Sequence, residues 1–520
     1  MEFMNAVRQT LNNEFNVSVT ENGAVGYRTT GKELLDLNFA AASLRKIPDT
    51  EVAKRFKKAF CEDKVLAMKW LFYARDVRGG LGERRLFRVV MEDLVKSNPE
   101  MVVPVINLIP EYGRYDDLWC LLDDNETANV IYQIVDTQLK HDWENMAANK
   151  PISLIAKWMP SINASSEKTK EYGKKLCKAL NMTEREYRKA LSKLRKYLDV
   201  VEVKMSDKNW SEIKYEAVPS RANLIYNGAF LRNDEARRRE YLGKLERGET
   251  KINASTLFPH DIVHKYMDNS YWGKMTKKTD ATIEALWKAL PDVVQNCGNT
   301  IVVADGSGSM NCRVDSSSGV TALEVANALA IYFAEHSSGQ FKDKYITFSE
   351  RPLIVDFSNC QTLHDKLQTA LAHNEVANTN IERVFDLILT SAINNHMSQE
   401  DLPKNILIIS DMEFDSCATC GKNNSGYWFS RNRPDSRLFD VIAQKYDDAG
   451  YQIPRLVFWN VNSRTGTIPV KENDLGVALV SGFSVNVAKM VMSGKLDPFE
   501  CLLETLNSER YAPVEAALRN

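Results

Sequence analysis

The chain has 520 residues, 44% hydrophobic and 26% charged, with a formal net charge of −2 and an isoelectric point near 6.4. That balance excludes a disordered chain and a generic polycation, so nucleic-acid contact must come from a local patch. The length predicts two or more domains, with core enough to be stable without staples.

The N-terminal Met1–Arg8 lacks the basic-then-apolar order of a signal peptide. No apolar stretch reaches roughly 18 residues, so no membrane span is expected, and the C-terminus carries no lipidation motif. Nine scattered cysteines, an odd number without framework spacing, read as reduced thiols of a cytoplasmic protein. Up to about residue 290, apolar residues recur at helical spacing near 50–74, 83–97, 116–124, 127–141, 171–180, 184–198 and 234–246. Breaks at Gly79-Gly80, Pro99, Pro104, Pro110, Gly113, Pro151, Pro160 and Pro219 separate them. Many medium helices with short breaks predict stacked helix pairs, a HEAT-like α-solenoid, although no exact repeat period is present.

After about residue 295 β-rich apolar runs alternate with helical ones. Strands are predicted at Thr300–Ala304, Lys344–Phe348, Pro352–Phe357, Asn405–Ser410, Arg455–Asn460 and Gly476–Ser481, and helices near 321–337, 361–371, 381–395, 436–450 and 484–493. This alternation is that of a doubly wound α/β domain with a parallel sheet. The expected division is therefore a helical domain over 1–290 and an α/β domain over 291–520.

Three loops of the second half bring oxygen ligands: Asp305-Gly306-Ser307-Gly308-Ser309 after the first strand, Asn378-Thr379-Asn380 before a helix, and Ser410-Asp411-Met412-Glu413 after the strand ending Ile408-Ile409. Loops at the carboxyl ends of adjacent central strands converge in such a sheet. Asp305, Ser307, Ser309, Thr379 and Asp411 then face one point, an oxygen-only set that suits magnesium or another hard divalent cation and leaves a position for an outside ligand. The nucleophile-elbow pattern G-x-S-x-G is absent around both Ser307 and Ser309, and His336 and His373 read as helix-end or surface residues, so binding rather than catalysis is expected. Asp305-x-Ser307-x-Ser309, Thr379 and Asp411 resemble the metal-ion-dependent adhesion site of von Willebrand factor A domains. That resemblance covers about 295–495. It implies that Asp305, Ser307 and Ser309 hold the metal, with Thr379 direct or through water and Asp411 in the outer shell. It also implies that a partner's carboxylate takes the open position.

In the helical half, Phe72–Arg88 places five arginines, Arg75, Arg78, Arg84, Arg85 and Arg88, around a Gly-rich turn, followed by Pro110–Trp119. Arginine forks match phosphate oxygens. The same residues also suit an Arg–Asp network with Asp76, Glu83, Asp116 and Asp117 between helix pairs. From Lys168 to Lys196, eleven Lys or Arg face three Glu, with Tyr172 and Tyr187 interleaved. This is either an electrostatic footprint for RNA, with Lys174, Lys175, Arg188, Lys189, Lys193 and Lys196 as contacts, or a solvated helix face. Arg232, Arg237, Arg238 and Arg239 add a second basic cluster.

Tyr73–Arg84, Pro110–Trp119, Val218–Ala222, Ser410–Phe414 and Phe458–Asn462 resemble the motifs of an uncharacterised two-part family of bacteria, phages and plants, essentially over the whole chain. That family pairs a helical domain with a von Willebrand A-like domain. The architecture is also similar to the Ro autoantigen family and its TROVE module, in which stacked helices close into a ring through a von Willebrand A-like domain. Leu257–Ile262 is similar to a stretch that precedes that domain there. The resemblance implies a ribonucleoprotein scaffold that takes single-stranded RNA ends in the ring and small structured RNAs on a basic outer face. Cys417 and Cys420 look like half of a zinc knuckle, short of the four ligands zinc needs. The expected function is thus a non-catalytic, Ro-like RNA-binding scaffold with a magnesium-dependent site for an acidic protein ligand. The alternatives are a metal-dependent protein-interaction scaffold without RNA and a metal-dependent hydrolase, which lacks a placed base.

Overall fold

The computed structural model describes residues 15–21, 25–267, 275, 278–294, 299–315, 318–349, 351–374, 380–413, 437–469, 476–491, 495 and 497–519. The chain forms two compact units, and they interleave in sequence. One comprises residues 1–47, 258–280 and 291–505; the other comprises 48–257, 281–290 and 506–520. A single cut at 290/291 therefore misses three exchanged segments. The reason is local to each unit. Phe39 O accepts the Asn460 amide at 2.8 Å, and Lys69 Nζ bonds Glu515 at 2.9 Å and Asn507 at 2.7 Å.

The first unit is built on a six-stranded sheet. A hairpin of β1 (Val17–Val19) and β2 (Val25–Tyr27) precedes β3 (Thr300–Asp305), β4 (Lys344–Phe348), β5 (Ile354–Asp356), β6 (Asn405–Ser410), β7 (Arg455–Asn460) and β8 (Val477–Ser481). The sheet order is β5-β4-β3-β6-β7-β8. Every side chain of β3 and β8 is buried, so both faces are covered, as parallel strands require. The helix Ala322–His336, buried along nearly its whole length, packs on β3. The expected all-parallel sheet fails at one edge, where β5 pairs antiparallel to β4. Only a short loop separates Phe348 from Ile354, which permits a hairpin but not a parallel crossover of a dozen or more residues.

The second unit is helical. Asp49–Glu62, Lys64–Arg75 and Arg84–Ser97 pack together through Phe56, Phe60, Trp70, Leu71, Phe87 and Val90, all buried. The segment expected to be helical at 116–124 is instead two short 3-10 turns, Tyr115–Asp117 and Trp119–Leu121, before the long helix Asn125–Ala147 capped by Asp124. Glu167–Ala179 and Glu184–Tyr197 follow, the latter opened by a Thr183–Glu186 capping box. Ser220–Asn233 and Glu235–Glu246 form a further pair. Among the described residues no helix is long and apolar enough to cross a membrane. The described cysteines, Cys61, Cys120, Cys177, Cys312, Cys360 and Cys501, are free thiols. Cys417 and Cys420 lie outside the described residues.

Candidate metal centre and basic surface

β3 and β6 are parallel neighbours, paired from Thr300 with Asn405 to Ala304 with Ile409. Their carboxyl ends therefore deliver Asp305 and Ser410-Asp411 to one crevice. Asp305 is 2% exposed; one carboxylate oxygen accepts the Ser307 amide at 2.9 Å and the other accepts the Ser410 hydroxyl at 2.6 Å. Ser307 and Ser309 hydroxyls lie 2.9 Å apart. Gly306 is required by close approach, since a Cβ there would stand 2.8 Å from the Asn374 side-chain oxygen and 3.1 Å from its Cα. Asp411 is 1% exposed, and its Oδ1 accepts the Glu413 amide at 3.2 Å. Its Oδ2 is buried with no hydrogen-bond partner among the described residues, and Arg464 Nη2 lies 3.4 Å away.

Burial drives the Asp411 carboxyl well above the usual carboxylate range, and the charge of Asp305 pushes it further. Arg464, the Glu413 amide and the Ser309 hydroxyl pull the other way. Two buried carboxylates in one crevice are costly unless a cation meets them. Asp305, Ser307, Ser309 and Asp411 are thus brought together, as the sequence predicts. Thr379 lies outside the described residues; its neighbour Asn380 caps the helix Ile381–Asn394 by accepting the Arg383 amide at 3.2 Å. Among the described residues no group of three or more His, Cys, Asp or Glu is arranged to hold a metal. The crevice is of another kind, two carboxylates with two hydroxyls. His336 and His373 each meet a carbonyl one turn back on their own helices, at 2.7 and 2.8 Å.

Arg464 is the site residue the sequence reading does not find. It follows β7, and its guanidinium also holds Glu21 at 2.8 Å. Glu413, two residues beyond Asp411, is turned to the backbone. It accepts the amides of Arg464 at 2.7 Å, Thr465 at 2.9 Å and Glu21 at 2.8 Å. The signal was present in the order of strands, because loops after β6 and β7 must adjoin once those strands pair.

In the helical unit the Gly-rich arginine string closes on itself. Asp117, fully buried, receives Arg75 Nη2 at 2.6 Å, Arg88 Nε at 2.7 Å and Arg84 Nε at 3.3 Å. Asp116 takes Arg114 at 2.8 Å and also pairs with Arg84. Arg510 and the Tyr511 hydroxyl both meet Asp76. Arg75 is therefore a buried counter-ion of an internal network, which corrects its assignment as an RNA contact; a buried guanidinium needs such a partner. Arg84 joins the same network from a side chain that stays part-exposed. Arg78 stays exposed and donates to the Glu111 carbonyl at 3.1 Å.

The family model described as "Domain of unknown function (DUF2828)" matches residues 20–111 and 118–300, just over half of the chain. The chain belongs to this family. A second model, "Domain of unknown function (DUF7788)", matches residues 299–511 of this DUF2828 member. The chain is 29% identical to "Uncharacterized protein L728" of Acanthamoeba polyphaga mimivirus over 538 aligned positions, covering 96% of this chain and 89% of that protein. Among solved structures it is similar to the Deinococcus radiodurans Ro (RSR) protein, with a TM-score of 0.32 and 12% identity, covering 87% of this chain and 93% of that one.

The basic stretch of the DUF2828 region divides in two. Lys168 and Lys175 both pair with Asp123, and Lys170 pairs with Glu167. Lys175 thus sits in a surface ion pair with Asp123, and that bond raises its pKa. Arg195 donates to the carbonyls of Ala156 and Met159 at 2.8 Å. In contrast, Arg185, Arg188, Lys189, Lys193 and Lys196 lie exposed along one stripe of the helix Glu184–Tyr197, while Tyr187, Leu191 and Leu194 fill its buried face. Lys193 lies 5.2 Å from the Trp143 ring. Lys174 and Lys178 are exposed on the preceding helix. None of these seven has a carboxylate partner among the described residues. The second cluster divides as well: Arg237 pairs with Asp234 and Arg238 is buried against Tyr215, Phe230 and Tyr241, whereas Arg232 and Arg239 are exposed, Arg239 paired with Glu235 at the surface.

Proposed function

We propose that this chain is a non-catalytic, Ro-like cytoplasmic scaffold. In this account it binds RNA on its helical unit and, through a divalent cation, a carboxylate of a protein partner on its α/β unit. The observation that carries it is the meeting of Asp305 and Asp411, both buried, with Asp411 Oδ2 left without a hydrogen bond among the described residues, near the Ser307 and Ser309 hydroxyls. Oxygen donors of this type fit a small hard cation, magnesium first. Asp305, Ser307, Ser309 and Asp411 would hold it, with Thr379 as a further ligand. When bound, the cation supplies charge neutralisation and an open position for an anionic side chain. The strand order, with Asp305 ending β3 and Asp411 following β6, supports a von Willebrand A-like domain.

The RNA half of the proposal rests on the exposed stripe of Arg185, Arg188, Lys189, Lys193 and Lys196, joined by Lys174 and Arg78. A run of exposed cations without carboxylate partners among the described residues is an electrostatic footprint for a polyanion. The pairing of Arg75, Arg84 and Lys175 with carboxylates favours a second account, a metal-dependent protein scaffold without RNA. Crosslinking the full chain to RNA in cells and sequencing what is attached separates the two. Recovery of RNA that falls on charge reversal of Lys189, Lys193 and Lys196 supports the scaffold; recovery equal to an uncrosslinked control removes RNA from it.

A further inference from the structure

A cavity of about 120 Å³ opens in the helical unit where the helix Glu184–Tyr197 ends. Leu198 and Val200, which begin two residues beyond Lys196, form part of its wall, with Leu154, Val201, Ile213 and Val218. Lys157, Lys204 and Lys214 line it as well. Lys204 is tied to Asp199 at 2.6 Å, and Lys157 reaches Glu202 only at 3.9 Å. Lys214 is exposed and without a carboxylate partner among the described residues. Leu154 is 51% exposed, an apolar side chain held open to solvent beside the cavity.

We infer that this cavity receives one nucleobase of a single-stranded RNA whose phosphates run along the basic stripe; the inference rests on the RNA reading above. The stripe from Arg185 to Lys196 spans about 16 Å at the 1.5 Å rise of a helix, and it leads into the cavity wall. Space for a water needs roughly 10–15 Å³ of such volume, so the cavity takes several waters or one flat ring. Aliphatic walls favour the face of a ring over a hydrated ion, while Lys214, the lining lysine without a carboxylate partner among the described residues, favours the phosphate that a base carries with it. Unstacked bases of single-stranded RNA are recognised in this way, splayed from the backbone into apolar pockets. A polyanion without bases has no use for such walls.

The test compares two probes on the full chain by fluorescence anisotropy, a short single-stranded oligoribonucleotide of mixed sequence and inorganic polyphosphate competing against it. Ala217→Leu narrows the cavity from its exposed rim, and Leu154→Asn removes an apolar wall at an exposed position where folding is not at stake. Each substitution is expected to weaken the oligoribonucleotide by about tenfold, the loss of apolar contact between one base and the wall, and to leave polyphosphate competition unchanged. Unchanged oligoribonucleotide affinity in both variants, or equal losses for both probes, overturns the base pocket while the basic stripe stands. Failure of the wild-type chain to bind either probe overturns both the pocket and the RNA reading.

Discussion

Asp305 and Asp411 stand buried at the carboxyl ends of paired strands, and the charge of one raises the pKa of the other. Arg464, the cation 3.4 Å from Asp411, is shared with Glu21, so it offsets the two carboxylates only in part. Asp411→Asn is therefore expected to raise the melting temperature in chelator by about 2–4 °C, equivalent to ~1 kcal/mol in a domain of this size. Scanning calorimetry in chelator checks it; a drop instead would mean that Asp411 serves the fold as an anion.

Asp117 tests the helical unit. Burial acts to raise its pKa, but Arg75 and Arg88 hold it below the usual carboxylate range. A depressed native pKa gives stability that is present above the unfolded value and is lost as pH falls through the lower folded one. Asp117→Asn is expected to cost about 3–5 kcal/mol at neutral pH, because it leaves buried guanidinium charge uncompensated. The same change should flatten the acid limb of stability. Urea unfolding at several pH values reads both.

Charge reversal of Lys189, Lys193 and Lys196 to Glu should weaken RNA binding and lower the slope of log affinity against log salt by roughly two, at about 0.7 per phosphate contact on a single strand. Arg75→Lys should destabilise the fold without altering that slope, because Arg75 faces Asp117 and not solvent. Salt titrations of binding distinguish the two.

Glu413 is a clasp between loops. Glu413→Gln is expected to cost about 1–3 kcal/mol, as the amides of Glu21, Arg464 and Thr465 lose a charged acceptor. Hydrogen exchange should quicken at those three amides first, and unchanged protection there would show that Glu413 is not what holds the loops.

The strands were legible because Ile- and Val-rich runs such as Ile301–Ala304 and Ile406–Ile409 are buried on both faces and so carry no polar interruption. Asp305 and Asp411 were legible for the same reason, as the first charges after such runs. Arg464 and Glu413 were not, since their meeting depends on the register of β6 with β7 and links residues about fifty positions apart. The arginines of Phe72–Arg88 pointed equally to phosphate or to carboxylates. Only the fold, by carrying Asp117 to Arg75 across 42 positions, decided for a carboxylate at Arg75, while Arg78 stays exposed. The exchange of 506–520 into the helical unit rests on pairs such as Lys69–Glu515 and Asp76–Arg510, which no local pattern announces.

The most direct measurement is the melting temperature of the full chain with and without magnesium, for the wild type and Asp305→Ala. A ligand that binds only the folded state adds about 2.7 kcal/mol at a hundred times its dissociation constant. The wild type should melt several degrees higher in magnesium, and Asp305→Ala should show no shift. A wild type indifferent to magnesium and to other divalent cations, or a variant stabilised as much as the wild type, would contradict the cation site at Asp305 and Asp411.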